Sequence, residues 1–430
     1  MGARSDLDRY AFPCLLSVTF LTAIGNTGLI SVMPAIGRVI GITDTLVASI
    51  FSLSALIWAI ASPGWARVAD RRGRKPLIQL GLLGFIGSMI GCGLIVYGGL
   101  LGLMAPLVTF IVFFVVRSSY GLFGSASATA VQAYIADRTE GLARVRALSG
   151  QAGALSLGTI FGPAIAPFLI LPPFALATPM FVFSLAGCLA LVMTVWMIPR
   201  ETMPVRDVQL DAKPVPAGKL WRDPQVAPFF KYGIVLASAQ AMNLYTLGFV
   251  VIDRLGGQPI AAQKAVGTAM VGGALAGLFA QWGLVNWLRL GPWAMVRWGA
   301  GLAFIGNAVM MLGSGYPSLL IGFSLACLGY GLGRPGFSAG ASLAAGPGRQ
   351  AGVAGVVSSI AGASIVGPPI LSVLLYESWA PAPFVLACAG LFAVTLYSLV
   401  NPALRNRGTM FPEGDNASTN RALCVDPPGS

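Results

Sequence analysis

The chain has no histidine, only 10% of its 430 residues are charged, and its six cysteines stand alone at Cys14, Cys92, Cys188, Cys327, Cys388 and Cys424. Without histidine, serine-histidine and cysteine-histidine nucleophilic catalysis is excluded. With no Cys-x-x-Cys pair either, a zinc site, histidine-ligated haem and a disulfide framework have no basis in the sequence. A phosphate-binding loop of the Gly-x-x-x-x-Gly-Lys-Ser/Thr type is also missing, which argues against an ATP-driven pump. No metal, no cofactor and no enzymatic activity is expected.

What is present in excess is apolar surface: 56% of the residues are hydrophobic, far more than the core of one soluble domain holds at so low a charge content. Lipid offers no hydrogen-bond partner to a backbone, so a segment that crosses it must be a helix of about 20 apolar residues. Twelve such stretches are predicted, at residues 11–33, 46–65, 76–98, 106–130, 147–170, 177–198, 229–252, 265–287, 293–313, 317–341, 352–375 and 380–401. The first is too long, and too directly followed by a second, for a cleaved signal peptide.

The net charge of +12 is not the footprint of a nucleic-acid partner. Of the 27 Lys and Arg, 22 fall in the segments that share a side with the N-terminus, and only Arg38, Arg254 and Lys264 fall on the other side. By the positive-inside rule both termini and the central loop are expected in the cytoplasm. Arg117 and Arg334 remain, and both lie within spans.

The expected organisation is a six-helix bundle over residues 1–198, a Pro-rich charged cytoplasmic linker at 199–228, a second six-helix bundle at 229–402 and a disordered cytoplasmic tail at 403–430. A weak internal repeat supports two halves. The fifth span carries Gly158, Gly162 and Pro163, and the eleventh carries Gly367 and Pro368 at the matching place. Proline removes a backbone hydrogen bond and glycine relaxes the helix, so each step is read either as a hinge or as a static kink.

Between the second and third spans runs Asp70-Arg71-Arg72-Gly73-Arg74-Lys75. Gly73 permits a tight turn, Arg71, Arg74 and Lys75 anchor it at the membrane face, and Asp70 is available to pair with a cation or a helix N-terminus. The run reads as a gate, against the alternative of ordinary positive-inside anchors, and not as a substrate contact. With the twelve spans and the long central loop, it resembles the major facilitator superfamily of secondary transporters over about residues 10 to 402. Arg117-Ser118-Ser119-Tyr120-Gly121 resembles the family's fourth-span Arg motif, with Tyr120 in place of glutamine. Gly158-x-x-x-Gly162-Pro163 resembles the fifth-span antiporter motif, although its last two positions are Ala166-Pro167. Together they resemble the twelve-span drug:proton antiporter branch. That resemblance implies an all-α membrane fold, alternating access, proton-coupled efflux of a drug, antibiotic or siderophore, a monomer, and a bacterial inner membrane. Uptake of a small acidic metabolite is the alternative reading within transporters. A polytopic receptor or scaffold is the alternative outside them.

All fifteen Asp and Glu fall at span ends or in loops, so the buried carboxylate that many drug:proton antiporters use does not transfer to this chain. A centre-of-helix arginine costs on the order of 2.5 to 3.5 kcal/mol on insertion scales, and Arg117 must therefore face a cavity or a partner. It is read as a substrate or proton-coupling contact, against the alternative of a packing arginine. The substrate is then expected to be neutral or acidic. Asn26, Gln151, Gln240, Asn243, Tyr245 and Tyr330 are further candidate cavity residues, and Arg334 is one as well unless it snorkels to the interface.

Overall fold

The computed structural model describes residues 10–139, 141–199, 217–346 and 349–405. Twelve helices in it are long and apolar enough to cross a membrane. We label them α1 (Ala11–Ile40), α2 (Asp44–Arg72), α3 (Arg74–Leu100), α4 (Pro106–Asp137), α5 (Gly141–Ile165), α6 (Thr178–Met197), α7 (Ala227–Arg254), α8 (Gln263–Trp287), α9 (Pro292–Leu312), α10 (Tyr316–Ala345), α11 (Gly352–Ser378) and α12 (Ala382–Val400). An even number of crossings puts the start of α1 and the finish of α12 at one end of the bundle, here called basal; the other end is distal.

The spans run longer than the apolar stretches alone suggest. Helix α1 continues past residue 33 through Pro34 to Ile40 and stops at Gly41, whose φ of 87° lets its N–H close on the carbonyl of Gly37 at 2.9 Å. At the basal end Gly73 is the single residue between α2 and α3, at a φ of 86° that a residue with a Cβ rarely adopts. Several spans open with proline in the first turn, where its missing N–H loses nothing: Pro106, Pro179, Pro228, Pro292, Pro317 and Pro383.

The predicted linker and tail are both shorter than expected. A short helix at Ala217–Trp221 and the early start of α7 at Ala227 shorten the linker. Asp223 follows that helix, accepts the backbone N–H of Gln225 at 3.0 Å and pairs with Arg349 Nη2 at 2.8 Å. The hydrogen bond from Gln225 and the guanidinium of Arg349 hold its carboxyl below the ordinary carboxylate range. Pro402–Arg405 forms one more turn, and Trp293 Nε1 of α9 donates to the carbonyl of Ala403 at 3.0 Å. The rest of the predicted linker and tail lies outside the described residues.

Packing follows one plan twice. In the first half α1 lies against α5 and α6, α2 against α4, α3 against α4 and α6; in the second half α7 lies against α11 and α12, α8 against α10, α9 against α10 and α12. Adding six to each label in the first list gives the second. The halves meet along α1–α7, α2–α11 and α5–α8. The last two pairs also exchange under that rule, as an interface between two similar bundles requires.

Helix length differs with position. Helices α1, α4 and α10 have 30, 32 and 30 residues, whereas α6, α9 and α12 have 20, 21 and 19. The short helices carry large apolar side chains facing outward, among them Leu185, Trp196, Leu312 and Val400.

Candidate functional site

Helix α4 brings Arg117 eleven residues in from Pro106, about 16 Å along the helix, and buries it to 2% exposure. Its Nη2 donates to the side-chain carbonyl of Asn26 on α1 and, at 3.4 Å, to the Asn26 backbone carbonyl. The guanidinium carbon stands 5.0 Å from the ring centroid of Tyr120, one turn along α4. Tyr120 is itself wedged between Phe85 of α3 and Trp58 of α2, with centroids 5.4 and 5.6 Å away. Tyr245 of α7 and Cys92 of α3 lie within electrostatic reach, and Tyr245 rests edge-on against Phe51 of α2 at 5.4 Å. Nε and Nη1 of Arg117 meet no hydrogen-bond acceptor among the described residues. One cation thus sits in an aromatic enclosure at the meeting of both halves, with a single amide partner and two donors unused.

The second half holds a different polar cluster. Asn243 Nδ2 of α7 and Asn307 Nδ2 of α9 both reach the hydroxyl of Tyr330 on α10, at 2.9 and 3.0 Å. All three residues are buried. Two of the predicted candidates, Asn243 and Tyr330, therefore bond each other within one half. Asn307 joins them without any pattern in the sequence to announce it. Gln151 is buried on α5 and Gln240 half-buried on α7; neither lines the cavity around Arg334.

Arg334 is exposed, and what it faces is a cavity of about 210 Å3 lined also by Ser156, Gln281, Pro335, Ser338 and Val357. Ser156 comes from α5 of the first half, Gln281 from α8, Val357 from α11. The cavity therefore lies between the halves, and Arg334 turns toward the protein interior rather than out along a lipid face.

At the distal end the two halves are tied. Arg38 of α1 donates to Asp44 of α2, Nη2 to Oδ2 at 2.7 Å, and to Asp253 of α7, which also accepts the hydroxyl of Tyr376 of α11 at 2.6 Å. Thr45 gives its backbone N–H to Glu377 at 2.9 Å, and Ser52 faces the carbonyl of Ile365 at 3.4 Å. Among the described residues the hydrogen bonds and ion pairs that join the halves cluster at the distal end, with Ser52–Ile365 reaching toward mid-span. The partners are too distant in sequence for any local pattern to pair them; their only signal is charge at the ends of spans that come together.

In the basal turn, Arg74 is buried and its Nε meets Asp137 Oδ2 of α4 at 2.9 Å, while Lys75 Nζ donates to the carbonyls of Val195, at 2.8 Å, and Ile198 near the end of α6. Arg71 points to solvent. The side chain of Asp70 lies outside the described residues. All these contacts stay within the first half.

The two Gly-Pro steps behave differently. Gly158 and Gly162 press α5 against the backbone of α1, where a Cβ on Gly158 would stand 2.7 Å from the carbonyl of Phe20. Helix α5 runs unbroken through Pro163. Helix α11 is interrupted at Gly367, between segments Gln350–Val366 and Pro368–Ser378, with open space beside it.

The family profile described as Major Facilitator Superfamily matches residues 15–368. The chain is 27% identical over 388 residues to multidrug resistance protein 2 of Bacillus subtilis (strain 168), covering 87% of this chain and 91% of that protein. In fold it is similar to the crystal structure of a bacterial homologue of the human lysosomal transporter Spinster, captured inward-facing and unoccupied, with a TM-score of 0.65, 15% identity, and 92% and 95% of the two chains covered. A human organic anion transporter gives a TM-score of 0.59 at 16% identity, over 90% of this chain and 98% of that one.

Proposed function

The chain belongs to the major facilitator superfamily, a family of transporters and not of enzymes, and we propose that it exports a small neutral or acidic organic compound by alternating access, coupled to protons. Arg117 carries this reading. A buried guanidinium with two unused donors and no carboxylate beside it is built to accept charge or polarity of the opposite sign. A lipophilic cation would find aromatic faces there but also the charge of Arg117, with no carboxylate to offset it. Export is favoured by the Bacillus relative, whose name states multidrug resistance, and by the Gly158-Gly162-Pro163 pattern in α5.

Of the 27 Lys and Arg, 22 fall in sequence segments that share a side with the N-terminus, which supports placing the basal end in the cytoplasm of a bacterial inner membrane. The distal ties and the cavity at Arg334 support reading this arrangement as inward-facing, closed toward the outside. The basal turn around Gly73, Arg74 and Lys75 braces the first half as it moves, and the break at Gly367-Pro368 supplies a flexible point in α11. The chain works as a monomer.

The test is transport by protein reconstituted in proteoliposomes under an imposed pH gradient, using neutral, anionic and cationic dyes of matched size. Anionic or neutral dyes are moved when the gradient is present, and Arg117→Ala abolishes movement of the anionic ones. Cation transport that survives Arg117→Ala unchanged would refute the reading.

A further inference from the structure

Arg334 presents a second cationic site whose surroundings differ from those of Arg117 in every respect that matters to a ligand. Arg117 is buried, lies over the ring of Tyr120 and is bonded to Asn26. Arg334 is exposed, no hydrogen bond or ion pair engages it among the described residues, and three of the other five residues lining its cavity are polar: Ser156, Gln281 and Ser338. The carrier of Gln281 is itself irregular. Residues Phe279–Leu284 form a π turn inside α8, a feature that inserts a residue into a helix and is frequent at functional sites. On that turn Phe279 and Trp282 are exposed on the outside of the bundle while Gln281 lines the cavity. Gly331 keeps α10 close by, since a Cβ there would stand 2.8 Å from the carbonyl of Gly277 and 2.9 Å from Ala280 Cβ.

From this arrangement we propose that Arg334, with Gln281, Ser156 and Ser338, is a receiving site for the acidic group of an organic anion arriving from the basal side. It is distinct from Arg117 and occupied while the distal ties hold. The planar guanidinium offers paired N–H donors to a carboxylate, sulfonate or phosphate oxygen pair, and the hydroxyls and the amide supply further donors. A cavity of about 210 Å3, below the usual range for drug-sized ligands, suits the acidic end of an aromatic or short-chain organic acid. Because Ser156 stands on the first half and the other three polar residues on the second, a bound anion touches both halves. This inference rests on the transport reading above and narrows its substrate to the acidic class.

The probe is 2-naphthoate, compared with its uncharged methyl ester, on the purified full-length protein in lipid nanodiscs at neutral pH. Wild type binds 2-naphthoate more tightly than the ester. Arg334→Gln weakens naphthoate binding about tenfold or more, the loss expected for a charge-assisted hydrogen bond, and leaves ester binding within about twofold; Arg334→Lys recovers part of it. A second readout needs no variant. Phenylglyoxal, mapped by mass spectrometry, modifies Arg334 and not Arg117 in the free protein, and 2-naphthoate slows the modification. The proposal is overturned by absence of naphthoate binding to wild type, by equal binding to Arg334→Gln and wild type, by equal losses for acid and ester, or by modification that naphthoate does not slow. The two readings fail separately. If Arg117→Ala stops naphthoate transport and Arg334→Gln leaves binding intact, the receiving site falls and the transport reading stands. If Arg334 binds and is protected but no dye is moved, the transport reading falls.

Discussion

At the scale of single residues the molecule keeps one expensive group. Burying an arginine without a counter-charge is unfavourable, and even paired buried ions are often replaced by apolar residues at no cost or with a gain of about 1–4 kcal/mol. Arg117→Met is accordingly expected to raise the thermal midpoint of the purified protein while removing transport of anions. Asn26→Ala, which deletes the acceptor on Nη2, lowers the midpoint. A lower midpoint for Arg117→Met, measured by thermal unfolding in detergent, would show that the idle nitrogens are in fact satisfied. Arg117 was legible in the sequence because a charge deep in an apolar run is costly and must face a cavity or a partner, although the sequence left open whether it packs or binds. Asn26 was legible as a polar residue at depth, though not as this arginine's partner. Asn307 was not legible: an isolated amide in a membrane helix says nothing about which hydroxyl it will find, and only the crossing of α9, α10 and α7 brings it to Tyr330.

At the scale of elements, identical dipeptides have unlike outcomes because their neighbours differ. Gly162-Pro163 stays helical where α5 is clamped to α1, and a Cβ on Gly162 would stand 2.9 Å from the backbone nitrogen of Gly28 and closer still to Ile24 and Thr27. Gly367-Pro368 breaks its helix where no atom lies within 4 Å of an added Cβ. Gly162→Ala is therefore expected to destabilise the protein by about 1–3 kcal/mol, the usual penalty of overpacking, and Gly367→Ala by less than about 0.5 kcal/mol. Paired thermal-unfolding curves decide this, and equal effects would contradict the close approach of α5 to α1. The sequence marked both steps but could not say which would interrupt its helix, since that depends on what packs beside them. It gave no sign of the π turn in α8 either, because residues 279–284 read as plain apolar helix.

At the scale of the whole molecule, twelve spans and two halves followed from hydrophobic length and charge placement, and the doubled packing plan accounts for the weak repeat seen around the Gly-Pro steps. The state of the molecule did not follow. It is set by the distal cluster around Arg38, whose partners Asp44 and Asp253 come from different halves and gain proximity only when the bundles tilt together. Removing the tie by Arg38→Gln is expected to release the distal end. Partly exposed ion pairs contribute up to about 1 kcal/mol, enough to shift the closed and open populations roughly fivefold. Spin labels at Thr43 and Gln258, compared by double electron-electron resonance, report this as a gain in the long-distance population. An unchanged distribution would mean the apolar contacts of α2 with α11 hold the end shut unaided.

The short helices on the flanks carry a consequence for where the protein can live. Helices α6, α9 and α12, at 20, 21 and 19 residues, extend only about 28 to 32 Å, close to the hydrocarbon thickness of an ordinary bilayer and short of a sterol-rich one. Their outward Leu, Val and Trp side chains leave little apolar length to spare. A membrane several ångströms thicker would have to be thinned around these three helices, so hydrophobic mismatch, independent of any substrate, favours thinner bilayers at a modest cost per ångström.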